Sequence, residues 1–170
     1  VVLDLHVHDL DFLRYMLGEP DSFEVKATAF KSGMINQVLT TYEFGDVFAS
    51  VEGIWDECPG LQFEASFRAC FEEATIWFNG KQDPSLTVYK KDGTVEHPEL
   101  NPEYNVSDNT AGINVSNLGP YYTEIKYFAE CVRDGKPVEV APLSEGVKSV
   151  EVALKEWEAA KAYVKAHTKA

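Results

Sequence analysis

Between residues 23 and 90 the chain alternates apolar and polar side chains in run after run, and the runs are joined by turns too short for anything but reversal. Phe23, Val25, Ala27 and Ala29 alternate with Glu24, Lys26 and Thr28, and the pattern resumes over residues 35–44, 47–55, 61–71, 74–78 and 86–90. Every second side chain of an extended segment shares one face, so each run reads as a strand with one face toward a core. Gly45-Asp46, Pro59-Gly60, Asn79-Gly80 and Asp92-Gly93 mark the connections. A parallel crossover needs a dozen or more residues, so these strands are expected to pair antiparallel in an open sheet of about six or more strands. In the 61–71 run Leu61, Phe63, Ala65, Phe67, Ala69 and Phe71 are expected on the core face.

Three segments change period. Leu10, Leu13, Met16 and Leu17 recur at helical spacing behind Asp4, Asp9 and Asp11, and Gly18 then Pro20 close the pattern, which predicts a helix over residues 4–17. Tyr121, Ile125, Phe128 and Val132 form a second stripe, ending at Gly135, and Val147, Val150, Leu154, Trp157, Ala160 and Val164 form a third. Both later stripes are expected to pack on the core face, giving an α+β fold with helices on one side of a mostly antiparallel open sheet. Residues 97–119 have no period and are long for a connection, as lids and interface arms are. The Asn105 and Asn114 sequons there are not expected to be glycosylated, since no secretion signal is seen.

A chain of 170 residues can bury a core without staples. Its 15 Lys and Arg against 28 Asp and Glu give a net charge of −13, which excludes phosphate-backbone binding and anionic lipid as plausible partners. No apolar run approaches the ~20 residues of a membrane span, and the expected compartment is the cytoplasm. Cys58, Cys70 and Cys131 make no C-x-x-C pair and are expected to be reduced, Cys70 and Cys131 as packing residues. The opening Val1-Val2-Leu3, without Met, reads as the start of a piece of something longer.

The densest ionisable cluster runs Asp4, His6, His8, Asp9, Asp11. On a helix Asp4 and His8 lie one turn apart, and a carboxylate that orients an imidazole makes a proton-transfer pair. Two other readings stand beside it. Asp4 can be a cap with both histidines solvated, or Asp4, His6 and His8 can be the D-x-H-x-H ligands of a metal-dependent hydrolase strand. The second needs a β/α barrel of typically ~250 residues and further ligands, where only His97 and His167 remain.

Residues 2–20, VLDLHVHDLDFLRYMLGEP, resemble the D-x-G-x-H-x-x-D stretch, closed by glycine, that opens the C-terminal domain of the glucose-fructose oxidoreductase/inositol dehydrogenase/MocA (Gfo/Idh/MocA) family. The likeness continues through YYTEIKYF at 121–128, the DGKP turn at 134–137 and Pro142 to Glu145. It implies a fold like the C-terminal domains of dihydrodipicolinate reductase and glyceraldehyde-phosphate dehydrogenase. Residues 1–170 would be the substrate-binding and oligomerisation domain of an NAD(P)-dependent oxidoreductase acting on a sugar, cyclitol or related polyol.

His8 matches the family's acid/base and Asp4 the residue that orients it; Asp11 is structural by the same likeness. NAD or NADP would be bound mainly by an N-terminal Rossmann domain absent from this chain, which has no G-x-G-x-x-G after a strand and no E-K-P lysine. No cofactor-binding or metal-binding residue is therefore assigned here. His6 departs from the family, which has a small residue at that place. A homo-oligomer is expected through the open sheet face, read as Thr28, Phe30, Thr40, Tyr42, Glu64 and Arg68. The alternative from another class is a non-catalytic ligand-binding or oligomerisation module of the same fold.

Overall fold

A computed structural model describes residues 1–99 and 119–167. In chain order it holds a π-helical turn Val2–His6, α1 Val7–Leu17, β1 Ser22–Ala29, β2 Ile35–Phe44, β3 Val47–Ile54, β4 Ser66–Cys70, β5 Ala74–Asn79, β6 Leu86–Lys90, β7 Val95–Glu96, α2 Gly119–Asp134 and α3 Leu143–His167. The α+β class and the antiparallel pairing are as the sequence implies. The strands form two sheets, β1-β2-β3 and β4-β5-β6-β7, where one was expected. The chain divides into two compact units, Val1–Cys58 with Val138–Ala170, and Pro59–Pro137. The sequons and most of the expected long loop lie outside the described residues.

In the first unit the ladder pairs Phe23 with Tyr42 with Ala49, Val25 with Thr40 with Val51, and Ala27 with Val38 with Gly53. α1 and α3 cover that face, and Val2, Leu10, Val38, Tyr42, Val51 and Ala153 form its core. Thr40 and Tyr42 are thus fully buried, not on the open face as expected. Thr28, still in regular register, pairs with Gln37 and shares the open face with Leu39 and Thr41; the register then shifts, so that Ala29 pairs with Ile35 and β2 buries both Ile35 and Val38. A slip of one residue exchanges the faces of a strand.

α3 also turns a different side inward. Of the expected stripe Ala160 is buried and Val164 packs beside it, but Ser149, Ala153 and Glu156 are buried where Val147, Val150, Leu154 and Trp157 were expected. Small side chains let the helix approach the sheet and α1 closely, and that proximity outweighs the width of the apolar stripe.

In the second unit Phe67 stands opposite Phe78, with ring centroids 5.5 Å apart, and Ala69 opposite Ile76. Only Ser66–Cys70 of the 61–71 run pairs as a strand, and of the expected core face Leu61, Phe63, Ala65, Phe67 and Phe71 are exposed, with Ala69 half-buried. The preceding residues are held by the 79–81 turn instead: Gly80 N–H donates to Ala65 O, and Lys81 Nζ to Gln62 O. β7, two residues long, is too short to show an alternation. α2 forms where expected, but Tyr121, Ile125, Phe128 and Val132 are exposed and Cys131 is its buried hydrophobic residue. Cys70 is exposed, contrary to its expected packing role, and all three cysteines are free.

Candidate functional site

The π-helical turn is built on one carbonyl: Val1 O accepts from Leu5 N at 2.9 Å, His6 N at 3.2 Å and Asp4 N at 3.3 Å. Such a turn widens the helix start and re-aims its side chains, a device frequent at functional sites. It continues directly into α1, so His6, Leu10 and Arg14, four residues apart, form one stripe. That stripe meets α3. His6 faces Glu156, Leu10 joins the cluster of Ala153, and Arg14 reaches Ser149 and Glu145.

His6 is fully buried, and its Nε2 lies 2.9 Å from Tyr42 Oη, 3.2 Å from Thr40 Oγ1 and 2.9 Å from Glu156 Oε2. Glu156 is equally buried. Burial first, and the Glu156 carboxylate second, push the Tyr42 phenol far above its ordinary range, so its hydroxyl stays a donor. His6 Nδ1 and both Glu156 oxygens have no aligned hydrogen bond among the described residues. Buried polar atoms left in this state are rare and costly. Gly53 on β3 makes room for the turn: a Cβ there would stand 3.2 Å from His6 Cβ.

At the other end Arg14 donates from Nε to Glu19 Oε2 at 3.1 Å, from Nη1 to Glu145 O at 3.0 Å and from Nη2 to Glu145 Oε2 at 3.1 Å. Its guanidinium holds the Glu19 carboxyl below the usual range. Asp11 accepts from the Ser149 hydroxyl, a tie between helices.

Asp4 and His8 sit on the other side of this clamp, both exposed, Asp4 in the π turn and His8 in the first turn of α1. Neither makes a side-chain hydrogen bond among the described residues. Next to His8 in sequence, Asp9 has its carboxyl raised by desolvation, against the pull of His6 and His8. An exposed carboxylate and imidazole one turn apart, on a helix fixed from beneath, can meet a solute hydroxyl.

The D-x-H-x-H metal reading fares differently. His6 is turned into the core, and among the described residues no group of three or more His, Cys, Asp or Glu could hold an ion. The groove beside β1, lined in part by Lys26, Thr28, Glu52, Tyr163 and His167, contains neither Asp4 nor His8.

Sequence reading missed His6, Thr40, Tyr42 and Glu156 as a unit. The available signal was phase: Glu156 repeats with Ser149, Ala153 and Ala160 at spacings of three and four, and Thr40 and Tyr42 alternate in step with Val38. The described strands pair only antiparallel, so they contain no parallel strand–turn–helix cradle for a dinucleotide.

No protein-family model matches the chain, and no curated protein matches it. Solved structures do. The fold is one found in Gfo/Idh/MocA-type oxidoreductases. UDP-N-acetylglucosamine 3-dehydrogenase GnnA from Acidithiobacillus ferrooxidans matches with a TM-score of 0.72 at 17% identity, over 96% of this chain and 48% of that one. Levoglucosan dehydrogenase in complex with NADH and levoglucosan matches with 0.73 at 19%, over 92% and 47%. An oxidoreductase from Agrobacterium radiobacter in complex with NAD+, L-tartaric acid and magnesium matches with 0.68 at 15%, over 94% and 46%. At these identities the likeness is one of fold, and the chain spans about half the length of each relative. No helix among the described residues is long and apolar enough to cross a membrane.

Proposed function

We propose that this chain is the substrate-binding half of a cytoplasmic NAD(P)-dependent oxidoreductase acting on a sugar, cyclitol or related polyol. The observation that carries the reading is the fold match over 96% of this chain to 48% of a nucleotide-sugar dehydrogenase. Asp4 and His8, both exposed and four residues apart where the chain resembles the family motif, support the further reading that they act as a proton-transfer pair. In this reading His8 takes the proton of a substrate hydroxyl as the adjacent carbon is oxidised, and returns it in the reverse direction. Asp4 orients the imidazole and stabilises its cation once the proton has moved.

When bound, the nicotinamide supplies the hydride acceptor. The described residues do not form its cradle, so this reading places its binding mainly in the other half of a longer polypeptide. His6 and Glu156 hold the turn that presents the pair and stay out of the chemistry. Self-association through the open face of β1-β2-β3 belongs to the same reading.

The test is a panel of sugars, cyclitols and linear polyols, each with NAD+ and NADP+, on the protein of the complete reading frame. Reduction of the nicotinamide with at least one of them is expected. No reduction across the panel, with the protein folded, contradicts the reading.

A further inference from the structure

α3 buries its small and polar side chains and leaves its large apolar ones out. Val147 (48%), Val150 (45%), Leu154 (41%) and Trp157 (38%) are all exposed, while Ala153, Glu156 and Ala160 are at 0%. The four exposed residues follow one another at spacings of three, four and three, the a/d rhythm of a seam between helices. At 3.6 residues per turn they centre about 110° around the helix from the buried stripe, so they form a second face rather than the margin of the first. Leu143, also exposed, continues it. Charge rims one end: Lys161 pairs with Glu158, and its ammonium stands 4.1 Å from the centre of the Trp157 ring. An apolar centre with a charged border is how a covered surface is built.

We propose that this flank of α3 is the surface on which the other half of the complete polypeptide docks, through a helix of its own. The a/d spacing selects a helix as occupant. Relatives of the same fold carry as much polypeptide again as the 46–48% that this chain matches, and that second half needs a seat. The inference rests on the reading that the chain is one half of a longer oxidoreductase.

Hydroxyl-radical footprinting of the complete protein, read by mass spectrometry, tests it. Trp157 and Leu154 are expected to oxidise several-fold more slowly than in the 170-residue chain. Val150→Gln and Leu154→Glu, made in the complete protein, are expected to raise Trp157 oxidation with the circular dichroism unchanged, and the milder Val150→Gln stands alone if Leu154→Glu does not fold. Trp157 freely oxidised in the complete protein overturns the proposal. So does protection already present in the 170-residue chain, whether from a second copy or from the chain itself, and so does a reading frame that adds no second half. Protection without nicotinamide reduction supports the docking surface and contradicts the activity; reduction with Trp157 unprotected does the reverse.

Discussion

His6 Nε2 lies 2.9 Å from Glu156 Oε2, and neither side chain has any exposed surface. This contact joins the first helical turn of the chain to the last helix, with Tyr42 at 2.9 Å completing the joint from the sheet. Removing one partner strands the other in the core. Glu156→Leu is expected to cost about 3–5 kcal/mol in urea denaturation. Adding His6→Leu to it should recover most of that, since an apolar pair needs no counter-group. Simple addition of the two single costs would show that the residues are not coupled.

Gly53 and Gly146 should respond in opposite directions to the same change. An alanine Cβ at 53 meets His6 Cβ at 3.2 Å and Val1 Cγ2 at 3.3 Å, whereas one at 146 meets nothing within 4 Å. Gly53→Ala is expected to lose about 1–3 kcal/mol, by forcing the π turn off the sheet. Gly146→Ala, inside α3, should gain up to about 1 kcal/mol. Thermal melts of the two variants check the contrast.

Acidification should reveal the Arg14 cluster. The hydrogen bond from Arg14 is the largest cause that lowers the Glu19 carboxyl below its ordinary 4.5. A carboxyl lowered in the folded state contributes stability above its unfolded value, and loses it as pH falls through the folded one. The wild type is therefore expected to lose stability below about pH 4.5, and Arg14→Ala to lose less over that window. Because Glu19 is half exposed, the difference should be small and weaken in salt. Glu145, lowered first by Lys148 and only then by Arg14, should keep part of its dependence in the variant. Chemical denaturation at a series of pH values, with and without added salt, measures both.

What the sequence made legible was local, and what it hid was relative. Alternation and turn residues place β1, β2 and β3 almost to the residue, because period and turn chemistry are properties of neighbouring residues. Which face of β2 is buried depends on the irregularity at Ala29, a matter of pairing between strands, so Thr40 and Tyr42 were misassigned. The phase of α3 misled for a similar reason: its widest apolar stripe is not the one that meets the sheet. Asp4 and His8 could be singled out because they are near in sequence, whereas Glu156 is 150 residues from His6 and only the fold joins them.

Self-association should be visible in solution. The open face of the three-stranded sheet carries Glu24, Lys26, Thr28, Gln37, Leu39 and Thr41, a mixture suited to a semi-polar interface. Light scattering at high protein concentration is expected to give a mass at a multiple of the 19.0 kDa chain. A strictly monomeric mass contradicts the interface.

The most direct test of the account is the turnover of His8→Ala in the complete protein, on whichever polyol the substrate panel identifies. Loss of a positioned acid/base is expected to lower kcat by about 10²–10⁴-fold, with KM little changed and the fold intact by circular dichroism. Unchanged kcat would remove His8 from the chemistry and contradict the account.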